Sequence, residues 1–471
     1  MTRRRGLAVL ALTVSLLAAG THASRAADDY TNSAYMQHDL DNMSRSSVRQ
    51  RKMVTDPDYH LAFMKAAGYS WIDAQRNQLA DLNVGRIHLS LGQLLPGGSV
   101  GDPQRYFDIT PTRIQFLSRT GAKLSGRIWS NGTPGPRPGI VITTGSLQGT
   151  EHMYWWAART LAGSGYVVMT FDVQGQGESE TTGHAFGDVT PTTDGVPFQQ
   201  AANFYDGTID ALRFFMSTPS AAYVPGGRTP AEVATAKSAA TRGHEHLDWV
   251  NPLWGSFDRA RIGIAGHSLG AGAVSAVQQC SDKAVLWKTL ALCGGRSFPI
   301  RAVIGWDALS ADVTPVVPGM NQQADGYFLN PEPAYTAPAA DGHLEAHRKW
   351  KSAGLDTYSL TIRGGTHLEW AQIPWILPAT GYGTSLADYY TLAWFDRYVK
   401  GSAAAAARLL NGPRDLASPG NPWNAHHFST RYLSAFRLGG TERIDLRQYA
   451  GLSKVGDWAG SNADRVGRAI P

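Results

Sequence analysis

The stretch Arg261-Ile262-Gly263-Ile264-Ala265-Gly266-His267-Ser268-Leu269-Gly270-Ala271-Gly272 constrains the fold more than any other part of the 471-residue chain. An apolar run of strand composition passes directly into Gly-His-Ser-Leu-Gly and then into small residues suited to a closely packed helix. So sharp a strand-to-helix corner places its middle residue, Ser268, at strained backbone angles, which the glycines at 266 and 270 accommodate. The hydroxyl then stands clear of the strand, at a helix N-terminus whose amides point toward developing negative charge. The pattern predicts a nucleophilic serine; the plainer reading is an ordinary tight turn.

Around this corner the hydrophobic pattern alternates between strand and helix. Ile114–Leu117 and Leu124–Trp129 flank a turn signal at 119–122 and read as an opening hairpin. Short apolar runs follow at Gly139–Thr143, Tyr166–Phe171, Arg261–Ala265, Arg301–Trp306, Thr314–Val317 and Tyr358–Ile362. Helical patterns lie between several of them, at Glu151–Ala162, Phe204–Met216, Leu269–Gln279 and Leu344–Ala353. The expected class is α/β, with a mostly parallel sheet covered by helices on both faces.

The catalytic unit is expected over residues 111–400, with an insertion at 219–256 that suits a surface excursion or partial cap. Residues 28–110 read as an N-terminal helical extension, and residues 401–471 as a C-terminal tail that lays a strand or two on the domain. The first residues, Met1-Thr2-Arg3-Arg4-Arg5, precede an apolar stretch to Gly20 and a small-residue site at Ser24-Arg25-Ala26-Ala27. This is the layout of a signal peptide over residues 1–27, and the apolar run is short for a bilayer span. The expected location is therefore secreted or cell envelope, with no stable membrane span after leader removal. Export permits a disulfide between the two cysteines, Cys280 and Cys293, closing a short ring worth roughly 3 kcal/mol by loop entropy; two separate buried thiols are the alternative. The formal charge of +5 falls near +1 once the leader's four arginines are removed, which leaves little electrostatic footing for nucleic acid.

A serine hydroxyl needs a base. Among 14 histidines, His367 is the expected one, since Tyr358–His367 carries it on a glycine-rich loop just past a strand, where parallel sheets gather catalytic groups. A carboxylate between serine and histidine must orient the imidazole. Asp325 is preferred, as the acid following the Thr314–Val317 run with Gly319–Ala324 as intervening loop. Asp307, Glu332 and Asp341 are the rivals, and a helix-capping role is the bland reading of Asp307. Oxyanion donors are expected from the backbone of Leu269 and of Ser146 in the loop Thr144–Gly149, with Leu147 second to Ser146. Trp155 and Trp370 are expected to line an apolar substrate pocket, with helix-core packing as the alternative for Trp156 in particular. This chemistry requires no metal or organic cofactor. His244, Glu245 and His246 read as a polar loop before they read as an ion site.

Four motifs together resemble the α/β-hydrolase superfamily across roughly residues 110–400. They are Thr144-Gly145, Asp172-Val173-Gln174-Gly175-Gln176-Gly177-Glu178-Ser179, Gly266-His267-Ser268-Leu269-Gly270 and Gly365-Thr366-His367. Within the superfamily the chain is similar to secreted actinobacterial esterases and lipases, and more distantly to cutinase-like and dienelactone hydrolases. The resemblance implies a structural role for Asp172. Thr144-Gly145 stands where many relatives have His-Gly.

The function these readings imply is a secreted serine hydrolase that cleaves small-molecule or lipid-like carboxylic esters through a Ser-His-Asp triad and an acyl-enzyme. A peptidase or amidase of the same fold is the enzyme alternative, and a non-catalytic envelope binding protein is the alternative of another class.

Overall fold

Alternate residues of most central strands face opposite ways, and both sets are largely apolar, so the sheet has a core on each side. The computed structural model describes residues 109–146, 149–180, 201–242, 246–324, 326–327, 330–331, 344–362, 367–371, 381–411 and 434–445. The expected leader and N-terminal extension lie outside these residues. The strands are β1 (Thr112–Leu117), β2 (Lys123–Trp129), β3 (Arg137–Thr143), β4 (Val167–Phe171), β5 (Phe257–His267), β6 (Ile300–Trp306) and β7 (Gly319–Ala324). They are followed by β8 (Gly326–Tyr327), β9 (Asn330–Pro331), β10 (Thr357–Ile362), β11 (Ser434–Leu438) and β12 (Thr441–Asp445).

Ten of these strands form one sheet in the order β1-β2-β4-β3-β5-β6-β7-β10-β11-β12, and β8 pairs with β9 in a two-stranded ribbon. The six central strands, from β4 to β10, run parallel to one another. Antiparallel strands complete both edges. The class is therefore α/β with a mostly parallel sheet.

On one face, Ile140, Ile142, Val168, Ala265, Ile304 and Leu360 pack against α1 (Trp155–Gly163), α6 (Gly381–Tyr398) and α7 (Ala404–Asn411). On the other, Val141, Val167, Met169, Ile264 and Val303 meet α2 (Ala201–Phe215), α4 (Leu269–Val277) and α5 (Glu345–Ser352). A parallel sheet covered on both faces favours strands that are largely apolar on both sides, and β3 and β4 are accordingly buried throughout.

β7 departs from the sequence reading. The strand beside β6 is Gly319-Met320-Asn321-Gln322-Gln323-Ala324, the stretch expected to be a loop, whereas Thr314–Val317 is irregular. Pro315 lies inside that apolar run and Pro318 just after it, and proline removes the ladder donor a central strand needs. The polar strand is tolerated because its amides are satisfied. Asn321 donates to Ser359 at 3.2 Å, Gln322 donates to Thr391 at 3.1 Å and accepts from the Trp370 indole at 2.9 Å, and Gln323 donates to Ser359 at 3.3 Å.

The 219–256 segment carries α3 (Pro230–Arg242) and docks on edge strand β1: the Asp248 amide donates to the Gln115 carbonyl at 2.6 Å, and the Tyr223 hydroxyl to the Leu117 carbonyl at 2.6 Å. β1 is four strands from β5, about 19 Å at ordinary strand spacing, so these contacts place the docked part at the sheet edge and away from the Ser268 corner. In the C-terminal region, β11 and β12 extend the opposite edge. Cys280 and Cys293 are joined in a disulfide, just beyond α4. Among the described residues no helix is long and apolar enough to cross a membrane.

Three buried histidines tie stability to pH. Burial holds His152, His267 and His347 below the usual imidazole value of 6.5, with His347 at about 4; Arg127 beside His152 and Lys351 beside His347 add to the effect. The unfolded chain takes up these protons near 6.5 and the folded chain only at lower pH. Their contribution to stability is therefore complete above 6.5 and falls as the pH drops, by about 1.4 kcal/mol per pH unit for each proton bound only by the unfolded state, while the buried Asp172 carboxyl, raised to about 7, acts in the opposite direction. The urea midpoint is expected to be lower at pH 5 than at pH 7.5, and His347→Gln to flatten that dependence. A pH dependence no flatter in His347→Gln than in the native chain would contradict a buried neutral His347.

Candidate active site

The corner at Ser268 has the backbone geometry its sequence implies. β5 ends at His267, α4 begins at Leu269, and Ser268 between them has φ 56° and ψ −122°. Non-glycine residues rarely adopt such angles, and this one persists because its surroundings fix it. A Cβ on Gly266 would stand 2.2 Å from the Gly270 carbonyl oxygen, and one on Gly270 would stand 2.4 Å from that of Thr144. Strand, helix and the loop after β3 therefore meet backbone to backbone. The Ser268 amide donates to the Trp306 carbonyl at 3.1 Å, which ties the corner to the end of β6.

Asp307 follows Trp306, and its carboxylate meets the imidazole of His367: Nδ1 to Oδ2 is 2.6 Å, with both side chains mostly buried. A carboxylate only accepts, so neutral His367 carries its hydrogen on Nδ1 and leaves Nε2 as the basic nitrogen. Asp307 has φ 50°, a left-handed conformation that aspartate adopts more readily than most residues. Asp325, expected in this role, lies outside the described residues, as do Glu332 and Asp341. The reading that preferred Asp325 rested on a strand at Thr314–Val317. With β7 at Gly319–Ala324, the acid that faces His367 comes from the strand before.

The 367–370 turn that carries His367 is fastened at both ends. His267 Nε2 donates to the His367 carbonyl at 2.8 Å, and the Trp156 indole donates to the Trp370 carbonyl at 2.8 Å. The His267 and His367 rings lie 4.7 Å apart, so the His367 imidazole sits against the residue that immediately precedes the serine.

The loop after β3 is held from two sides. The Gly145 amide donates to the Tyr154 hydroxyl at 2.9 Å. Gln176 donates to the Gly145 carbonyl at 2.8 Å and accepts from the Gly149 amide at 3.1 Å. Ser146, half-buried, follows Gly145 directly, while Leu147 lies outside the described residues. Leu269 is the first residue of α4, where helix amides have no intrahelical acceptor. Leu269 thus adjoins the corner, and Ser146 follows the residue, Gly145, that approaches His267.

Asp172 lies beneath this loop and accepts the amides of Glu151 at 2.7 Å and Glu178 at 2.9 Å. Burial pushes its carboxyl upward, opposed by the Glu178 amide bond. Gly177, at φ 53°, fits over it because a Cβ there would lie 2.3 Å from the carboxylate. These contacts are those of a structural residue.

Trp155 and Trp370 do not line open space. Trp155 is 1% exposed and packs edge-on to Trp129, and Trp370 is fully buried with its indole on Gln322. Both belong to the core that supports the site. Sequence reasoning passed over Tyr154, His267 and Gln176 as site residues, although each lies in a stretch already singled out; their roles come from partners distant in sequence. His246 pairs with Asp248 at 3.2 Å, while His244 and Glu245 lie outside the described residues. No group of three or more His, Cys, Asp or Glu among the described residues is placed to hold a metal. No protein-family model matches the chain, and no curated protein matches it.

Proposed function

We propose that this chain is a secreted serine hydrolase of the α/β-hydrolase type that cleaves carboxylic esters, with Ser268 as nucleophile, His367 as base and Asp307 as the carboxylate that orients it. The observation that carries the reading is the 2.6 Å His367–Asp307 contact beside a serine at φ 56° on a strand-to-helix corner. A buried His-Asp pair alone has many structural uses. Its coincidence with a strained serine at the C-terminal ends of β5 and β6 favours catalysis.

In the proposed cycle Ser268 Oγ attacks the ester carbonyl while its proton passes to His367 Nε2, and Asp307 stabilises the imidazolium. The oxyanion is met by the Leu269 and Ser146 amides. Collapse breaks the C–O bond, and the leaving alcohol takes the proton from Nε2. Water then attacks the acyl-enzyme, giving up its proton to Nε2, and the acid departs as Ser268 recovers its hydrogen. No step needs a metal or an organic cofactor. Export is supported by the N-terminal sequence and by the disulfide, which an oxidising compartment preserves.

A fluorophosphonate probe is expected to label the protein once, at Ser268, and p-nitrophenyl esters to be hydrolysed faster than aminoacyl anilides. Folded protein that takes no label would refute the reading; faster anilide cleavage would move it to a peptidase.

A further inference from the structure

We infer that Tyr154 and His267 are positioning residues, forming one directed hydrogen-bond chain that holds the oxyanion loop and the base in fixed relation across the nucleophile corner. The inference rests on the hydrolase reading above and adds a function to two residues outside the triad.

The direction of the chain follows from its ends. The His367 carbonyl can only accept, so the hydrogen on the His267 ring must be at Nε2, 2.8 Å away. In the neutral ring Nδ1 then accepts, and its partner at 2.8 Å is the Tyr154 hydroxyl. That hydroxyl has one hydrogen, given to Nδ1, and its oxygen accepts the Gly145 amide at 2.9 Å. Reversing one link leaves a buried donor facing a donor or an acceptor facing an acceptor. The sequence Gly145 N–H to Tyr154 O–H to His267 to the His367 carbonyl therefore has a single consistent polarity.

Burial supports it from outside. Tyr154 is 1% exposed and His267 3% exposed, so water does not substitute for either link. Burial first, and the neighbouring His367 second, hold the His267 imidazole well below its usual pKa and keep the ring neutral.

Three loops meet in this chain: the one after β3 that carries Gly145 and Ser146, the β5–α4 corner, and the turn that carries His367. Each comes from the C-terminal edge of a different strand; the corner is tied to β6 through Trp306, and the chain links the other two loops to it. Tyr154 also stacks parallel to Trp306, 6.2 Å between centroids and 2° between planes, one residue before Asp307. A Cβ on Gly145 would lie 2.9 Å from His267 Nδ1, so the loop can approach the ring only as glycine. The two residues thus touch every backbone segment that contributes to the proposed chemistry while contributing no reacting atom.

The test compares Tyr154→Phe, His267→Gln and His267→Ala with the native enzyme on p-nitrophenyl butyrate. Phenylalanine keeps the ring over Trp306 and removes the hydroxyl; kcat is expected to fall about tenfold with KM within about twofold. Alanine at 267 is expected to cost about a hundredfold in kcat, and glutamine, whose amide can still donate to the His367 carbonyl, to recover most of that loss. Thermal melts separate these effects from unfolding, and nitrogen NMR of His267 is expected to show Nε2 protonated and Nδ1 bare from pH 5 to 9. An ordinary titration of His267, the opposite tautomer, or kcat within twofold of native for both Tyr154→Phe and His267→Ala overturns the inference while a labelled, active native enzyme leaves the hydrolase reading standing. So does a glutamine variant no better than alanine. A native protein that neither takes the probe nor hydrolyses any ester removes both together.

Discussion

Replacing Ser268 with alanine is expected to lower ester turnover by about 10⁴- to 10⁶-fold while leaving the melting temperature nearly unchanged. The reacting oxygen is lost, but the corner is not, because it is made by Gly266 and Gly270 against neighbouring backbone and by the amide bond from Ser268 to Trp306. Alanine at φ 56° carries the same backbone strain as serine. Glycine does not, so Ser268→Gly is expected to be equally inactive and more stable. Relief of about 1–3 kcal/mol of strain outweighs the roughly 0.5–1 kcal/mol that glycine's extra unfolded freedom costs, for a rise of a few degrees. The two variants together test the corner and the chemistry separately, through kcat/KM and a thermal melt. Turnover by Ser268→Ala close to native would end the assignment of the nucleophile.

The second large effect is expected at Asp307. Asparagine at this position keeps the shape and accepts the left-handed backbone, so the protein should fold. It removes the charge that stabilises the imidazolium, and its amide can donate to His367 Nδ1, which would push the ring hydrogen onto Nε2 and block proton transfer from the serine. The expected loss in kcat is about 10⁴-fold. Asp325→Asn, Glu332→Gln and Asp341→Asn are expected to stay within a few-fold of native. A dead Asp325→Asn beside an active Asp307→Asn would reverse the assignment and leave the 2.6 Å contact to His367 as packing alone.

Whether a residue was legible in the sequence depended on how far away its partners are. The Ser268 corner could be read because strand, glycines, serine and helix are consecutive, and the steric limits that force the turn act within a few residues. His367 could be read because it follows a well-marked strand on a glycine-rich loop. Cys280 and Cys293 could be read as a pair because there are only two cysteines. The carboxylate could not be chosen in the same way, since Asp307 reaches an imidazole sixty residues onward only through the order of strands in the sheet.

β7 shows the same limit. Asn321-Gln322-Gln323 resembles a loop until Ser359, Thr391 and Trp370 are brought alongside to satisfy the amides. Tyr154 and Trp155 are neighbouring aromatics in the sequence, yet one bonds His267 and the other packs against Trp129 in the core. Sequence by itself therefore determined the alternation of strand and helix, the corner and the residue type at its tip, because these follow from local sterics and hydrophobic period. Only the tertiary structure decided which acid meets the histidine, which polar run is a strand and which aromatic supports the site, because each depends on a hydrogen bond or a burial supplied by a distant segment.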